Sequence, residues 1–253
     1  MSENGHISTS IDNGIGTIVF FHPQSNSMPG DLLRKLAEET TSMGKDPAAK
    51  VIVLRSEGKS FCAGASFDEL ISIKDLAAGE KFFSGFALVI NAMRNAPKFV
   101  IARVQGKAVG GGVGLASAAD YTMAADGASV KLSELAVGIG PFVVGPAVER
   151  KIGTSAFTNL AINATEWRDA NWAKEKGLYA DVYPTVELLD EAIDALTKKL
   201  ADSNPDAMAE LKKIAWKGTE HWDKLLFERA GISGRLVLSE FTINAINSFK
   251  KKA

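Results

Sequence analysis

In the first 183 residues, apolar runs typical of strands alternate with segments in which apolar residues recur at helical spacing. Runs rich in β-branched and aromatic residues predict strands at residues 6–11, 15–21, 50–55 and 99–104. The first two runs are joined by Asp12-Asn13-Gly14, a sequence typical of a tight turn. Apolar residues at helical spacing predict intervening helices at residues 31–43, 66–73 and 80–95. Strands that alternate with helices are typical of an α/β fold.

Beyond residue 183 the pattern is helical only. Four leucine or isoleucine residues between 189 and 200 form one apolar face, and further helical patterns follow near residues 205–216, 220–230 and 234–249. We therefore expect an α/β core of residues 1–185 and a helical C-terminal region of residues 186–253. A chain of 253 residues has the length of one large domain or of a domain with a small appendage.

Composition argues against several classes of protein. The chain is 46% hydrophobic and 23% charged, as is ordinary for a soluble globular protein. It carries 29 Lys and Arg against 30 Asp and Glu, and this balance provides no bulk attraction to nucleic acid. No apolar run reaches the roughly 18 residues of a membrane span. The polar N-terminus lacks the pattern of a signal peptide, and Cys62, the only cysteine, cannot form an internal disulfide. We expect a cytoplasmic protein that binds neither nucleic acid nor membrane.

The stretch AVGGGVGLASAAD, residues 108–120, concentrates glycine in an apolar segment. It does not fit a dinucleotide fingerprint, which requires glycine where Leu115 stands, nor a P-loop, which requires glycine where Val53 stands. Two interpretations remain open. The glycines allow close packing of a helix against a sheet, or they let a ligand approach the backbone N–H groups at the start of a helix. The second arrangement suits an oxyanion formed from a carbonyl group.

A second loop, SEGKSFCAGASFDEL at residues 56–70, has the same character. It also follows a buried strand and narrows to Ala63-Gly64-Ala65 before a predicted helix. Two strand-to-helix loops can each contribute one N–H group. Two donors that converge on one carbonyl oxygen form an oxyanion hole.

Three segments together resemble the crotonase superfamily, the enoyl-CoA hydratase/isomerase family. The first is Ser60-Phe61-Cys62-Ala63-Gly64-Ala65, and the second is the glycine run with its Ala-x-x-x-Asp continuation. The third is Leu132-Ser133-Glu134, followed by Gly138 and Pro141. Their order and spacing agree with the family from about residue 7 to 183. Each segment alone is a weak signal, whereas the three together are a strong one.

The resemblance implies a fold, a substrate and an assembly. The fold is a spiral of ββα units, and the C-terminal helices help to build a homotrimer or a dimer of trimers. The substrate is an acyl-CoA thioester of the kind found in fatty acid metabolism, so coenzyme A belongs to the substrate and no separate cofactor or metal is expected. Lys250, Lys251 and Lys252 stand where relatives contact CoA phosphates, although a solvated basic tail is the alternative.

The resemblance also implies which residues form the site. The N–H groups of Ala65 and Gly111 hold the thioester carbonyl. The residues expected to bind substrate are Ser60, Phe61, Ala63, Gly64, Ala65, Gly110, Gly111, Pro141 and Phe142. For Phe142, as for Val143 and Val144, packing in the core is an equally good explanation. Cys62 is interpreted as a buried, inert thiol rather than as a nucleophile.

Glu134 is the candidate acid–base residue. It is the only ionisable residue between Leu132 and Val148, and apolar neighbours raise the pKa of a carboxyl group towards the range useful for proton transfer. An exposed glutamate at the edge of a loop is the alternative. Hydratases of the family carry a second glutamate, but this chain has Gly114 at that position. The sequence therefore favours an enoyl-CoA isomerase. A hydratase that works without the second glutamate and a catalytically degenerate acyl-CoA binding protein remain alternatives.

Overall fold

The computed structural model describes residues 5–250, and its centre is a six-stranded sheet. The strands of this sheet are β1 (His6–Asp12), β2 (Ile15–Phe21), β4 (Val51–Ser56), β6 (Val100–Val104), β8 (Tyr121–Ala125) and β11 (Asp181–Tyr183). They lie side by side in the order β1-β2-β4-β6-β8-β11, and every neighbouring pair except β1–β2 is parallel. The predicted hairpin is confirmed. Asn13 and Gly14 have φ angles of 49° and 81°, as a two-residue hairpin turn requires.

Two smaller sheets lie beside the large one. The first pairs β3 (Ser27–Met28) with β5 (Gly64–Ala65) in parallel. The second has three strands, which are β7 (Ala108–Val109), β9 (Ser129–Lys131) and β10 (Arg168–Asp169). Both sheets therefore contain a short segment of one of the glycine-containing loops.

Helices cover the sheets and follow most of the strands. In the first part of the chain they are α1 (Gly30–Lys45), α2 (Phe67–Ser72), α3 (Leu76–Asn95), α4 (Gly111–Ala118), α5 (Gly145–Ile162) and α6 (Ala170–Glu175). In the C-terminal part they are α7 (Val186–Ala201), α8 (Pro205–Ala215), α9 (Trp222–Leu236) and α10 (Glu240–Lys250). The mixture of helices and mostly parallel strands confirms the predicted α/β class. No helix within residues 5–250 combines the length and the apolarity that a membrane crossing needs.

The alternation of side chains along β4 divides the core into two layers. Ile52 and Leu54 belong to the main core, whereas Val51 and Val53 point to the opposite face, where α7 covers them. The apolar face predicted for residues 189–200 is the one that packs there. A bidentate salt bridge also joins α7 to β6. Arg103 Nε and Nη2 donate to the carboxylate of Asp190 at 2.6 and 2.8 Å.

The helix predicted near residues 220–230 extends further than its sequence pattern indicated, and the break before the last helix comes after residue 236. Helix α9 continues through Gly231 and Gly234 to Leu236. The reason is its crossing with α3, where both backbones lack side chains. A Cβ built on Gly79 would lie 2.6 Å from the carbonyl oxygen of Gly234. The glycines thus allow a close helix crossing instead of ending a helix.

Candidate active site

The two glycine-containing loops are joined along their backbones. The N–H groups of Phe61 and Cys62 donate to the carbonyl oxygen of Lys107 at 3.0 and 3.1 Å. The N–H of Val109 donates in turn to the carbonyl of Cys62 at 2.9 Å. These bonds place the end of the first loop beside the start of α4.

Two glycines are needed because these backbones approach so closely. A Cβ built on Gly64 would lie 2.7 Å from the carbonyl oxygen of Val109, and one on Gly112 would lie 2.5 Å from that of Cys62. Gly64 also has a φ of +87°, which side chains disfavour. The close-packing interpretation of the glycine run therefore holds for Gly112.

Two backbone donors remain beside this contact. Gly111 is the first residue of α4, so its N–H has no acceptor within the helix. Ser66 N donates to Met28 O at 3.3 Å, and alternate residues of a parallel strand donate to opposite sides, so the N–H of Ala65 points away from β3. Ala65 and Gly111 line the same pocket. Such a pair of donors can hold one carbonyl oxygen.

The pocket brings most of the predicted site residues together. Those that line it are Ala63, Gly64, Ala65, Gly110, Gly111, Glu134, Pro141 and Phe142. Its remaining walls are mainly apolar, with Phe83 and Phe86 from α3 and Val143 and Val144 from the segment before α5. Residues 142–144 line the pocket, and Val143 and Val144 are also buried in the main core, so both explanations that the sequence left open apply to these two.

Ser60 and Phe61 lie outside this pocket. The Phe61 side chain is completely buried and packs edge-on against Phe20, with ring centroids 5.5 Å apart. The carbonyl oxygen of Ser60 accepts hydrogen bonds from Asn26 Nδ2 and Gln105 Nε2 at 2.8 and 3.1 Å. Burial of the phenyl group in the core holds the loop at Phe61, and the hydrogen bonds to the Ser60 carbonyl hold it at Ser60. Neither residue lines the pocket.

The backbone around Glu134 turns its side chain over the glycine run. The N–H of Ile139 donates to the Glu134 carbonyl at 2.9 Å, and a short 3₁₀ helix, Leu135–Val137, fills the turn between them. Gly138 completes the turn with a φ of +79°. A Cβ built on Gly110 would lie 3.0 Å from Glu134 Oε1. The carboxyl group and the start of α4 are therefore in direct contact.

The surroundings of Glu134 are unusual for a carboxyl group. Its Oε2 is buried and has no hydrogen-bond partner among residues 5–250. Burial raises the pKa of Glu134 to about 7. Among the described residues that line the pocket, Glu134 is the only ionisable one. A group with these properties can both accept and return a proton near neutral pH.

Gly114, where the resemblance implies a second glutamate in hydratases, is covered by a neighbour. A Cβ built on Gly114 would lie 2.6 Å from the Cβ of Val144, which is buried at the start of α5. The sequence identified Gly114 as a departure from the family but gave no signal that α5 covers it. The absent carboxylate has therefore not left an open space.

Other candidate groups lie away from the chemistry. Burial raises the pKa of the Cys62 thiol to about 12, which confirms the interpretation of a buried, unreactive thiol. Within residues 5–250 no three His, Cys, Asp or Glu residues are arranged to hold a metal ion. Lys251 and Lys252 and the side chain of Lys250 lie outside the described residues.

Sequence reasoning missed part of the pocket. Phe67, Leu70 and Ile139 were not singled out, and neither was Ser233 of α9, although all of them line it. Ser233 is about 120 residues from the glycine run along the chain. No local pattern could have indicated that α9 returns to this place.

Comparison with known proteins supports the resemblance. A family model described as "Enoyl-CoA hydratase/isomerase" matches residues 10–229. A Bacillus subtilis (strain 168) protein named "Probable enoyl-CoA hydratase" is 26% identical over 249 residues, covering 97% of this chain and 96% of that protein. The carnitinyl-CoA dehydratase of Escherichia coli (strain K12) is 31% identical over 214 residues, covering 85% of this chain and 80% of that one.

Solved structures agree with the fold. The enoyl-CoA hydratase from Bacillus halodurans superposes with a TM-score of 0.88 at 20% identity, covering 96% of this chain and 99% of that chain. An enoyl-CoA hydratase from Mycobacterium smegmatis gives a TM-score of 0.80 at 26% identity, with coverages of 97% and 96%. The predicted fold class, with its helical C-terminal region, is confirmed.

Proposed function

The chain belongs to the enoyl-CoA hydratase/isomerase family, and we propose that it moves the double bond of an enoyl-CoA thioester from one pair of carbons to the next. The family acts on acyl-CoA. The step to an isomerase rests on the observation that, among the residues 5–250 that line the pocket, Glu134 is the only ionisable one. Val144 covers Gly114, where hydratases of the family carry the second carboxylate.

The thioester carbonyl binds at the N–H groups of Ala65 and Gly111. Removal of a proton from the neighbouring carbon places negative charge on that oxygen, and preorganised donors stabilise this charge as it develops. One such donor contributes roughly 10²–10³ in rate. Backbone hydrogen bonds join the two loops and set the position of one donor relative to the other.

Glu134 then transfers the proton. Its carboxylate removes a proton from C2 of a 3-enoyl-CoA, and the electron pair of that C–H bond delocalises through C3–C4 and the carbonyl to give a dienolate. The protonated carboxyl returns the same proton to C4, which leaves the double bond between C2 and C3 and regenerates the carboxylate. A pKa of about 7 supports both steps, because the carboxylate that takes the proton and the carboxyl group that returns it are both populated near neutral pH.

Hydration is the second candidate function, and the names of the relatives favour it. Two of them are named as a hydratase and a dehydratase. In that case Glu134 alone would orient the water and exchange its protons. Because one carboxylate is less able to orient a water and also donate a proton on the same face, this candidate stands second.

A panel of matched thioesters tests the proposal. The values of kcat/KM for double-bond migration of a 3-enoyl-CoA and for hydration of the 2-enoyl-CoA of the same length are measured with the wild-type protein. We expect migration to be the faster reaction. Efficient hydration with slower migration would establish the second candidate instead.

We propose in addition that the protein works as a homotrimer or a dimer of trimers. Large apolar side chains that remain exposed on α8 and α10 support this assembly. The cytoplasmic location expected from the sequence remains a prediction.

A further inference from the structure

Ser233 is a buried hydroxyl at the wall of the active-site pocket. It lies on α9, is only 2% exposed, and lines the pocket together with Phe83 and Phe86 of α3. Its Oγ makes no hydrogen bond with any residue of the part that the structure describes. The Oγ is not fully enclosed by protein atoms, so it borders the pocket space and can bond to a group that lies there.

Other buried hydroxyls inside helices behave differently. Three of them donate to a carbonyl oxygen of the preceding turn at 2.7 or 2.8 Å, and the pairs are Thr40 with Leu36, Ser117 with Val113, and Thr197 with Ile193. This is the usual way for a helix to satisfy such a group. A fourth, Thr242, is hydrogen-bonded to Ser239 Oγ at 3.0 Å. Ser233 makes no corresponding bond to Arg229. Its hydroxyl therefore remains available to whatever occupies the pocket.

The helix register places Ser233 away from the oxyanion donors. Helices α3 and α9 run antiparallel, since Arg94 pairs with Asp223 near one end and Gly79 meets Gly234 at the other. A Cβ built on Gly111 would lie 3.1 Å from Cδ1 of Phe86. Gly79, which lies beside the α9 residues next to Ser233, and Phe86, which lies beside Gly111, are seven residues apart on α3. At a rise of 1.5 Å per residue, Ser233 is therefore roughly 10 Å from Gly111 along the axis of α3.

We infer that Ser233 determines specificity by hydrogen-bonding a neutral polar substituent, a hydroxyl or a carbonyl oxygen, on the distal part of the acyl chain. The inference rests on the proposed function, because it takes this pocket to hold the acyl group. An anion is disfavoured because no cation lines the pocket among the described residues and Glu134 would repel it. A cation is disfavoured because the walls beside Ser233, such as Phe83 and Phe86, are apolar and would desolvate it. The preferred substrate is then an oxygenated acyl-CoA rather than a plain fatty acyl-CoA.

A binding experiment tests this without turnover. Calorimetry gives the Kd values of two saturated acyl-CoA thioesters of equal length, one of them with a hydroxyl at its distal end, for the wild type and Ser233→Ala. We expect the wild type to prefer the hydroxylated thioester by about fivefold to tenfold, as one net hydrogen bond provides. In Ser233→Ala this ratio should fall to near one, while the affinity for the plain thioester stays within about twofold.

Thr197→Val is the matched control. It removes a buried helical hydroxyl on α7, against the opposite face of the large sheet, and should leave the ratio at its wild-type value. An equal ratio in the wild type and Ser233→Ala, or a ratio near one in the wild type, overturns the inference. These results are distinct from failure of the isomerase proposal, which shows as absent double-bond migration whatever the binding ratio. If neither thioester binds, the acyl-CoA site and this inference both fall.

Discussion

A carboxyl group that loses its contact with water holds its proton more tightly, and Glu134 is in this situation. Its Oε2 is buried without a partner, and its pKa is raised to about 7. The residue could be predicted because no other ionisable residue occurs between 132 and 148. Its contact with Gly110 could not, since that depends on a turn around Gly138 that brings the third loop over the first turn of α4.

The raised pKa predicts how stability depends on pH. Between the ordinary pKa of 4.5 and about 7, the folded protein holds the Glu134 proton while the unfolded chain has released it. The free energy of unfolding therefore falls as pH rises through this window, by up to roughly 3 kcal/mol from this group. Glutamine does not titrate, so the free energy of unfolding of Glu134→Gln does not fall for this reason. The stability of the variant relative to wild type should therefore increase between pH 4.5 and 8.

Urea unfolding of both proteins at pH 5 and pH 8 measures this difference. Titrations that both proteins share cancel in the comparison. Glu38→Gln, at an exposed position on α1, controls for the generic loss of one negative charge. The same stability difference between Glu134→Gln and wild type at both pH values would show that the carboxyl group is not buried in solution.

At the scale of elements, glycine ends one element and lies inside another, and the sequence alone does not distinguish the two cases. Gly14 ends a strand in a hairpin, as predicted, whereas Gly234 continues a helix where it crosses another. Periodicity located most of the helices and strands because it depends only on neighbouring residues. It did not indicate which helices cross, because Gly79 and Gly234 are 155 positions apart.

The crossing of α3 and α9 gives a paired prediction. A methyl group at Gly79 would meet backbone atoms of Gly234, which cannot move aside like a side chain, so Gly79→Ala should lower the free energy of unfolding by about 1–3 kcal/mol. Gly231 lies on the same α9, but a Cβ there would meet nothing within 4 Å. Gly231→Ala should instead raise stability by up to about 1 kcal/mol through helix propensity. Urea denaturation of both variants checks the pair, and equal effects would contradict the crossing.

The contact between α4 and α5 predicts how a second carboxylate can be introduced. Gly114→Glu alone should destabilise the protein, because its side chain meets Val144. Gly114→Glu combined with Val144→Ala makes room for it. A second acid–base group is worth about 10²–10⁴ in rate where water must be activated, so we expect the ratio of hydration to migration to rise at least tenfold.

The kcat/KM values of the two reactions measure this ratio in the wild type, the double variant and Val144→Ala. The last variant separates a wider pocket from a new carboxylate. A folded double variant with an unchanged ratio would argue that the position of Gly114 is not the one that controls water.

At the scale of the whole molecule, the C-terminal helices have two kinds of surface. Helices α7 and α9 bury most of their apolar residues against the core, although Leu188 of α7 is exposed. Helices α8 and α10 leave large apolar side chains exposed, which are Leu211, Ile214, Phe241, Ile243 and Phe249. The sequence predicted that this region is helical. It did not distinguish the faces that pack internally from those left uncovered, because both read as the same periodic pattern.

These exposed residues predict self-association. Leu211 and Ile214 are 57% and 71% exposed and lie one turn apart on α8. We expect the wild type to sediment as a trimer or a multiple of it, and Leu211→Glu combined with Ile214→Glu to lower the mass. Lys213→Glu on the same helix is the matched control and should leave the mass unchanged. A wild-type monomer would contradict the proposed assembly.

Exchange of the C2 protons of a bound acyl-CoA in heavy water tests the central claim most directly. It requires only the oxyanion donors and one base, whichever reaction follows. The wild type should incorporate deuterium next to the thioester carbonyl, and Glu134→Gln should bind the same thioester within a few-fold but exchange at least about 10² more slowly. Exchange at the same rate in both proteins, or none in the wild type with the thioester bound, would contradict the assignment of Glu134 as the acid–base residue.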